Sequence, residues 1–140
     1  MIQRIQSLWL LLASSIAALI WFLPVFSDEE TGKIFFITES LILLLVVVFS
    51  GFISFASIFF FKKRSTQKQF IILNICLALA TIALEYFQIE NFKSQLGIKQ
   101  GHWQISAILP FFIILFLVFA YRGIRKDEKL LSSTDRLRQS

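Results

Sequence analysis

Residues 40–64 read SLILLLVVVFSGFISFASIFFFKKR. The stretch has no charged residue from Ser40 to Phe61, and it then ends abruptly at Lys62-Lys63-Arg64. A helix needs about 20 mostly apolar residues to cross the hydrocarbon core of a bilayer, which is about 30 Å thick. The stretch therefore predicts a transmembrane helix, at about residues 40–61, that stops at a membrane surface.

Three further apolar segments accompany this one, at about residues 8–26, 69–87 and 105–121. The chain is 56% hydrophobic and contains 17 phenylalanines, a composition that suits an outer surface facing lipid. We therefore expect an all-α membrane protein. Its transmembrane domain is a four-helix bundle at residues 1–121, and residues 122–140 form a basic, amphipathic tail.

Two polar loops, residues 27–33 and 88–104, connect the predicted helices on the side away from the tail. Residues 28–37 either form a hairpin or lead directly into the second helix. Pro110 lies early in the fourth segment, and a proline there either starts a helix or kinks it. The sequence leaves both questions open.

Positive charges are concentrated on one side of this predicted bundle. If the loop at residues 62–68 is cytoplasmic, that side carries eleven basic residues and the opposite side carries three. The eleven are Arg4, Lys62, Lys63, Arg64, Lys68, Arg122, Arg125, Lys126, Lys129, Arg136 and Arg138, and the three are Lys33, Lys93 and Lys99. Because cytoplasmic loops are enriched in Lys and Arg, we expect both termini in the cytoplasm.

Three of the polar side chains at or inside the predicted helices are candidates for function. Glu39 and Glu85 lie towards the outer ends of helices two and three, and Asn74 lies about one turn inside helix three. Polar groups in a membrane are costly, so these are the first candidates for function. The two carboxylates form either a proton or cation site, or hydrated groups at headgroup level paired with Lys33 or Lys93. For Asn74 we expect a hydrogen bond to a neighbouring helix.

Sequence motifs for catalysis or metal binding are missing. Cys76 is the single cysteine, which excludes a disulfide within the chain and a CxxC redox pair. His102 has no second His or Cys at the spacing of metal ligands. The sequence also lacks a Gly-rich phosphate loop and an HExxH motif. We therefore expect a protein that is not an enzyme and that uses neither a metal nor a cofactor.

The polar tail is the most informative stretch. Residues 122–138 carry six basic and three acidic side chains. One interpretation is an amphipathic tail lying on the membrane, and the other is a docking element for a cytoplasmic partner. The residues expected to contact such a partner are Arg122, Ile124, Arg125, Lys126, Asp127, Glu128, Leu131, Asp135, Arg136 and Arg138.

Both ends of the chain resemble one known family. They are the start MIQRIQSLWLLLA (residues 1–13) and the ending AYRGIRKDEKLLSSTDRLR (residues 120–138). They are similar to the bacterial membrane-protein family catalogued as domain of unknown function 4293. The resemblance implies a bacterial inner-membrane protein with four helices, and it adds weight to the tail as a functional element. It implies no catalytic residues.

The preferred hypothesis is a non-enzymatic accessory or scaffold subunit of a larger bacterial inner-membrane complex. Its helices would pack against other inner-membrane proteins. Its tail would contact a cytoplasmic protein or, given its basic charge, ribosomal RNA. The alternative is a small homo-oligomeric transporter or channel that uses Glu39 and Glu85. No small-molecule substrate is evident.

Overall fold

The computed structural model describes residues 2–139, with side chains from residue 4 onward. Four long helices lie within these residues: α1 (Ile2–Phe22), α2 (Leu41–Phe59), α3 (Arg64–Leu96) and α4 (Leu109–Gln139). Each contains a segment that is long and apolar enough to cross a membrane. The chain therefore has the four helical spans of a multi-pass membrane protein, as the hydropathy of its sequence predicts.

The four helices close into a ring in chain order. α1 packs against α2, α2 against α3, α3 against α4, and α4 packs back against α1. Successive helices joined by short connections run antiparallel, so one end of the bundle holds residues 4–6, 60–68 and 122–139. We call this the basic end. The opposite end holds residues 23–40 and 85–108, and we call it the sheet end.

Each helix buries one narrow stripe, which we call its seam. The seam positions alternate between three and four residues apart, and in α2 they are Leu43, Val47, Ser50, Ser54 and Ser57. A repeat of about 3.5 residues is typical of left-handed helix bundles. Large apolar side chains cover the remaining surface, and Phe22, Phe52 and Phe59 are all more than 60% exposed. Such a surface suits contact with lipid.

Small residues bring α2 close to both of its neighbours. Ser54 and Ser57 lie on the seam, while Gly51 faces α1. A Cβ atom at residue 51 would lie 3.1 Å from the Cβ atom of Ala17, which leaves no room for a larger side chain. Close approach of helix backbones is how membrane helices gain packing energy without a hydrophobic driving force.

A three-stranded antiparallel sheet covers the sheet end. The strands are β1 (Pro24–Ser27), β2 (Ile34–Phe36) and β3 (His102–Trp103), in the order β2-β1-β3. Phe26 in β1 pairs with Phe35 in β2 and with Trp103 in β3. Residues 28–37 therefore complete a hairpin with β1 before a short 3-10 turn, Ile37–Glu39, leads into α2.

The hairpin turn is closed by Asp28. Its carboxylate accepts hydrogen bonds from the hydroxyl and backbone N–H groups of Thr31 and from the backbone N–H group of Glu30. These donors, the Thr31 hydroxyl first, hold the pKa of Asp28 below its usual value because they stabilise the charged form. Gly32 follows with a φ of +67°, a backbone conformation that glycine adopts without strain.

α3 extends nine residues beyond Phe87, where the apolar segment ends in the sequence. Residues 88–96 are therefore helical, although their polarity predicts a loop. Ile89 is fully buried, and the ring of Phe92 lies 5.3 Å from the ring of Phe35. The contact between Phe92 and the sheet and the burial of Ile89 sustain the helix outside the apolar span. It ends at Gly97, which has a left-handed φ of +66°.

α4 starts at Leu109, immediately after a 3-10 turn at Ile105–Ile108. Pro110 is thus in the first turn of α4, where its missing N–H group leaves no helix hydrogen bond unmade. α4 then continues without a break through the predicted tail to Gln139. Its 31 residues span about 46 Å, more than the thickness of the hydrocarbon core.

Candidate functional site

The first part of the predicted tail is attached to the bundle. Ile124 continues the α4 seam and is fully buried. Beyond it, the guanidinium of Arg64 lies 2.7 Å from the carboxylate of Asp127, and the amine of Lys68 lies 2.7 Å from that of Glu128. Both basic residues come from the first turns of α3. Two ion pairs and one buried side chain therefore fix the direction in which α4 leaves the bundle.

The last part of the tail projects from the basic end. Residues 129–139 are helical and all exposed. The seam spacing of α4 runs through Leu117, Ala120, Ile124 and Asp127 to Leu131, which is 46% exposed. Its neighbour Leu130 is 48% exposed. The helix therefore projects about 16 Å beyond the bundle, and its first seam position there is the exposed, apolar Leu131.

The structure divides the residues that the sequence assigns to partner binding. Ile124 lies inside the bundle and is not accessible to a partner, because the α4 seam continues through it. Asp127 and Glu128 are engaged with α3. The accessible members of the set are Arg122, Arg125, Lys126, Leu131, Asp135, Arg136 and Arg138. The basic side chains nearest the bundle line one side of α4, and the remainder lie on the projecting helix.

The two carboxylates at the sheet end have different environments. Glu39 ends the 3-10 turn before α2 and is exposed. Glu85 lies on the α3 seam and is only 2% exposed. Its Oε1 atom has no hydrogen-bond partner among the described residues. Glu85 also lines a cavity of about 350 Å³ between α3, α4 and the segment that precedes α4. The two carboxylates that the sequence groups together therefore differ: Glu85 is buried and Glu39 lies on the surface.

Comparison with known protein families shows which family the chain belongs to. The model of the family described as domain of unknown function (DUF4293) matches residues 2–137. The chain belongs to this family. The match confirms the resemblance of the two ends and includes nearly all of the projecting helix, so the tail is part of the DUF4293 domain. No curated protein and no solved structure matches the chain.

Asn74 of this DUF4293 chain links α2 to α3. The hydroxyl of Ser50 donates a hydrogen bond of 2.6 Å to Asn74 Oδ1, and Asn74 Nδ2 donates to the hydroxyl of Ser54. Two helical turns closer to the basic end, Gln67 Nε2 donates a hydrogen bond of 3.0 Å to the backbone carbonyl oxygen of Ser57. The hydrogen bond expected of Asn74 is thus part of a polar contact along both seams. Its role is to hold two helices together.

Replacing Asn74 with alanine should lower the free energy of unfolding by about 1–2 kcal/mol, because two hydrogen bonds between helices are lost and a void remains. Unfolding in mixed micelles of dodecyl maltoside and SDS measures the change. Asn91→Ala, in the same helix but at an exposed position, is the matched control and should change stability by less than about 0.5 kcal/mol. Equal effects of the two substitutions would argue against the linking role.

Sequence reasoning missed several polar residues that the DUF4293 fold brings inside. Gln6, Gln67 and Thr81 are buried on the seams. At the sheet end, Ser106 donates a hydrogen bond to the carbonyl oxygen of Pro24. One signal was available: Gln67, Asn74 and Thr81 are spaced seven residues apart, which is the repeat of a bundle seam.

Proposed function

We propose that the protein is a non-enzymatic accessory subunit of a larger bacterial inner-membrane complex that docks a cytoplasmic partner through the projecting helix, residues 129–139. The continuation of the α4 seam beyond the bundle carries the proposal. Leu130 and Leu131 are exposed at the point where a buried stripe would continue if a second surface covered it. Exposed apolar positions flanked by charged ones are typical of docking surfaces.

In this proposal the basic end faces the cytoplasm. It carries eleven basic and three acidic residues, whereas the sheet end carries three basic and six acidic ones. Basic residues next to membrane helices are retained on the cytoplasmic side and are attracted to anionic lipid headgroups. Both termini and the projecting helix then lie in the cytoplasm.

The ion pairs at the start of the tail support docking by a prefolded helix. A disordered tail would have to be ordered on binding, at a free-energy cost for each residue fixed. Here Arg64–Asp127 and Lys68–Glu128 already hold the helix in one direction. The partner surface that fits has an apolar patch for Leu130 and Leu131. It also has acidic groups for the basic side chains of the last turn, as a protein rather than a nucleic acid would offer.

The experiment is affinity purification of the tagged, full-length protein from native membranes in mild detergent, followed by mass spectrometry. We expect a partner in a fixed ratio. The double substitution Leu130→Ser with Leu131→Ser should reduce its recovery by about tenfold or more, since two buried leucines are lost from the interface. The adjacent double substitution Ser132→Ala with Ser133→Ala is the matched control and should retain it.

Two results would contradict the proposal: equal recovery of the partner with the leucine variant, or wild-type protein that purifies alone under several mild conditions. Recovery of ribosomal RNA in place of a protein would mean that the partner is a nucleic acid.

A small homo-oligomeric transporter or channel is the second candidate, and the buried carboxyl of Glu85 is the observation that favours it. Intramembrane carboxyls commonly mark the path of a proton or cation. Ion flux through vesicles containing the purified protein tests this candidate. Flux that is unchanged by both Glu85→Gln and Glu39→Gln would remove it.

A further inference from the structure

The surroundings of Glu85 leave one acidic group unsatisfied. Its side chain is almost fully buried, and its Oε1 atom has no partner within the described part of the chain. A buried carboxyl without a hydrogen bond or a counter-charge is costly. The cavity beside it, at about 350 Å³, is within the size range of small-ligand sites. These observations together indicate space for a missing group.

The lysine and histidine side chains of the sheet end either pair with other carboxylates or are exposed. Lys93 Nζ lies 3.4 Å from the carboxylate of Glu90. His102 Nε2 lies 3.3 Å from the carboxylate of Glu29. The two other lysines of the sheet end, Lys33 and Lys99, are exposed. Within residues 4–139, then, no basic side chain forms an ion pair with Glu85.

The walls of the cavity combine aromatic and aliphatic groups. Tyr86 on α3, Trp103 on β3 and Phe111 on α4 supply rings, and Ile105 supplies an aliphatic side chain. All four are 45–77% exposed, so the cavity opens sideways on the outer surface of the bundle. Tyr and Trp side chains favour the level of the lipid headgroups. The opening therefore faces lipid close to the membrane surface.

We propose that this cavity binds the primary ammonium group of an amphiphile, with Glu85 as its anionic partner. An ammonium group donates the charge-assisted hydrogen bond that Oε1 lacks. The rings of Tyr86 and Trp103 attract a cation over their faces. The aliphatic part of the same molecule lies along Ile105 and Phe111 towards the bilayer. An aminophospholipid headgroup and a free alkylamine share this chemistry.

The test is native mass spectrometry of the full-length protein in mild detergent with four added probes: phosphatidylethanolamine, phosphatidylglycerol, dodecylamine and dodecan-1-ol. The wild-type protein should retain one molecule of an amine probe. Glu85→Gln, which removes the charge but keeps the shape, should weaken retention by about tenfold. Ala107→Phe fills the cavity with Glu85 intact and should have the same effect. Glu90→Gln is the matched control on the same helix and should behave as wild type.

The two sources of the amine are distinguished by the probes. Retention of phosphatidylethanolamine supports a lipid ligand, and retention of dodecylamine alone supports a free amphiphilic amine. Equal retention by wild type and by Glu85→Gln would overturn the proposal. So would retention of phosphatidylglycerol or dodecan-1-ol at the level of the amines.

Discussion

Replacing Phe26 with alanine should lower the free energy of unfolding by about 3–5 kcal/mol, the range for removing a large aromatic side chain from a packed core. Phe26 is fully buried at the sheet end. Its ring centroid lies 6.4 Å from that of Phe92 and 6.2 Å from that of Trp103, with the rings edge to face in both pairs. The Nζ atom of Lys93 lies 5.2 Å from the Phe26 ring centroid.

One ring therefore holds together β1, β3 and the extension of α3. Gly101 shows how closely the ring is enclosed, because a Cβ atom there would overlap it. After loss of the ring the sheet end should loosen first, since the extension of α3 and β3 pack on the same side chain. The seams of the four helices do not depend on this contact.

Unfolding in mixed micelles of dodecyl maltoside and SDS measures the loss for Phe26→Ala. Phe52→Ala is the matched control, because Phe52 is 68% exposed on the outer surface of α2. It should change the free energy of unfolding by less than about 1 kcal/mol, since few contacts within the protein are lost. Similar losses for the two variants would mean that the sheet end is not a packed core.

The four membrane-compatible helices could be predicted from the sequence, but their buried faces could not. Residues 40–61 are apolar on all sides, so hydropathy reveals a membrane helix without distinguishing Phe52, which faces outward, from Val47, which faces the seam. Hydropathy also failed to predict where α3 ends. The residues of α3 beyond Phe87 are mostly polar, because the helix has left the apolar span there. The side chain of Ile89 is nevertheless fully buried.

The candidate sites were likewise only partly predictable from the sequence. Glu39 and Glu85 are equivalent in the sequence, as acidic residues near the ends of apolar segments. They differ in the structure because Glu85 falls on a seam position and Glu39 lies in a turn. The attachment of the tail joins Arg64 to Asp127, which are far apart in the chain. Only the folded arrangement of α3 and α4 brings such residues together.

We predict that the projecting helix lies entirely on the cytoplasmic side of the membrane. Two single-cysteine variants can test this orientation. The background is Cys76→Ala, because Cys76 is exposed and would itself react if it were reached. Ser132→Cys reports on the projecting helix and Glu30→Cys on the hairpin turn. Both residues are exposed, so a maleimide can reach either one from its own side of the membrane.

Labelling with a membrane-impermeant maleimide, in spheroplasts before and after permeabilisation, tests most directly that the projecting helix lies in the cytoplasm, which docking of a cytoplasmic partner requires. We predict that the cysteine at residue 30 reacts in intact spheroplasts. The cysteine at residue 132 should react only after permeabilisation. The reverse pattern, or reaction of both cysteines in intact spheroplasts, would place the projecting helix outside the cytoplasm and contradict the proposed function.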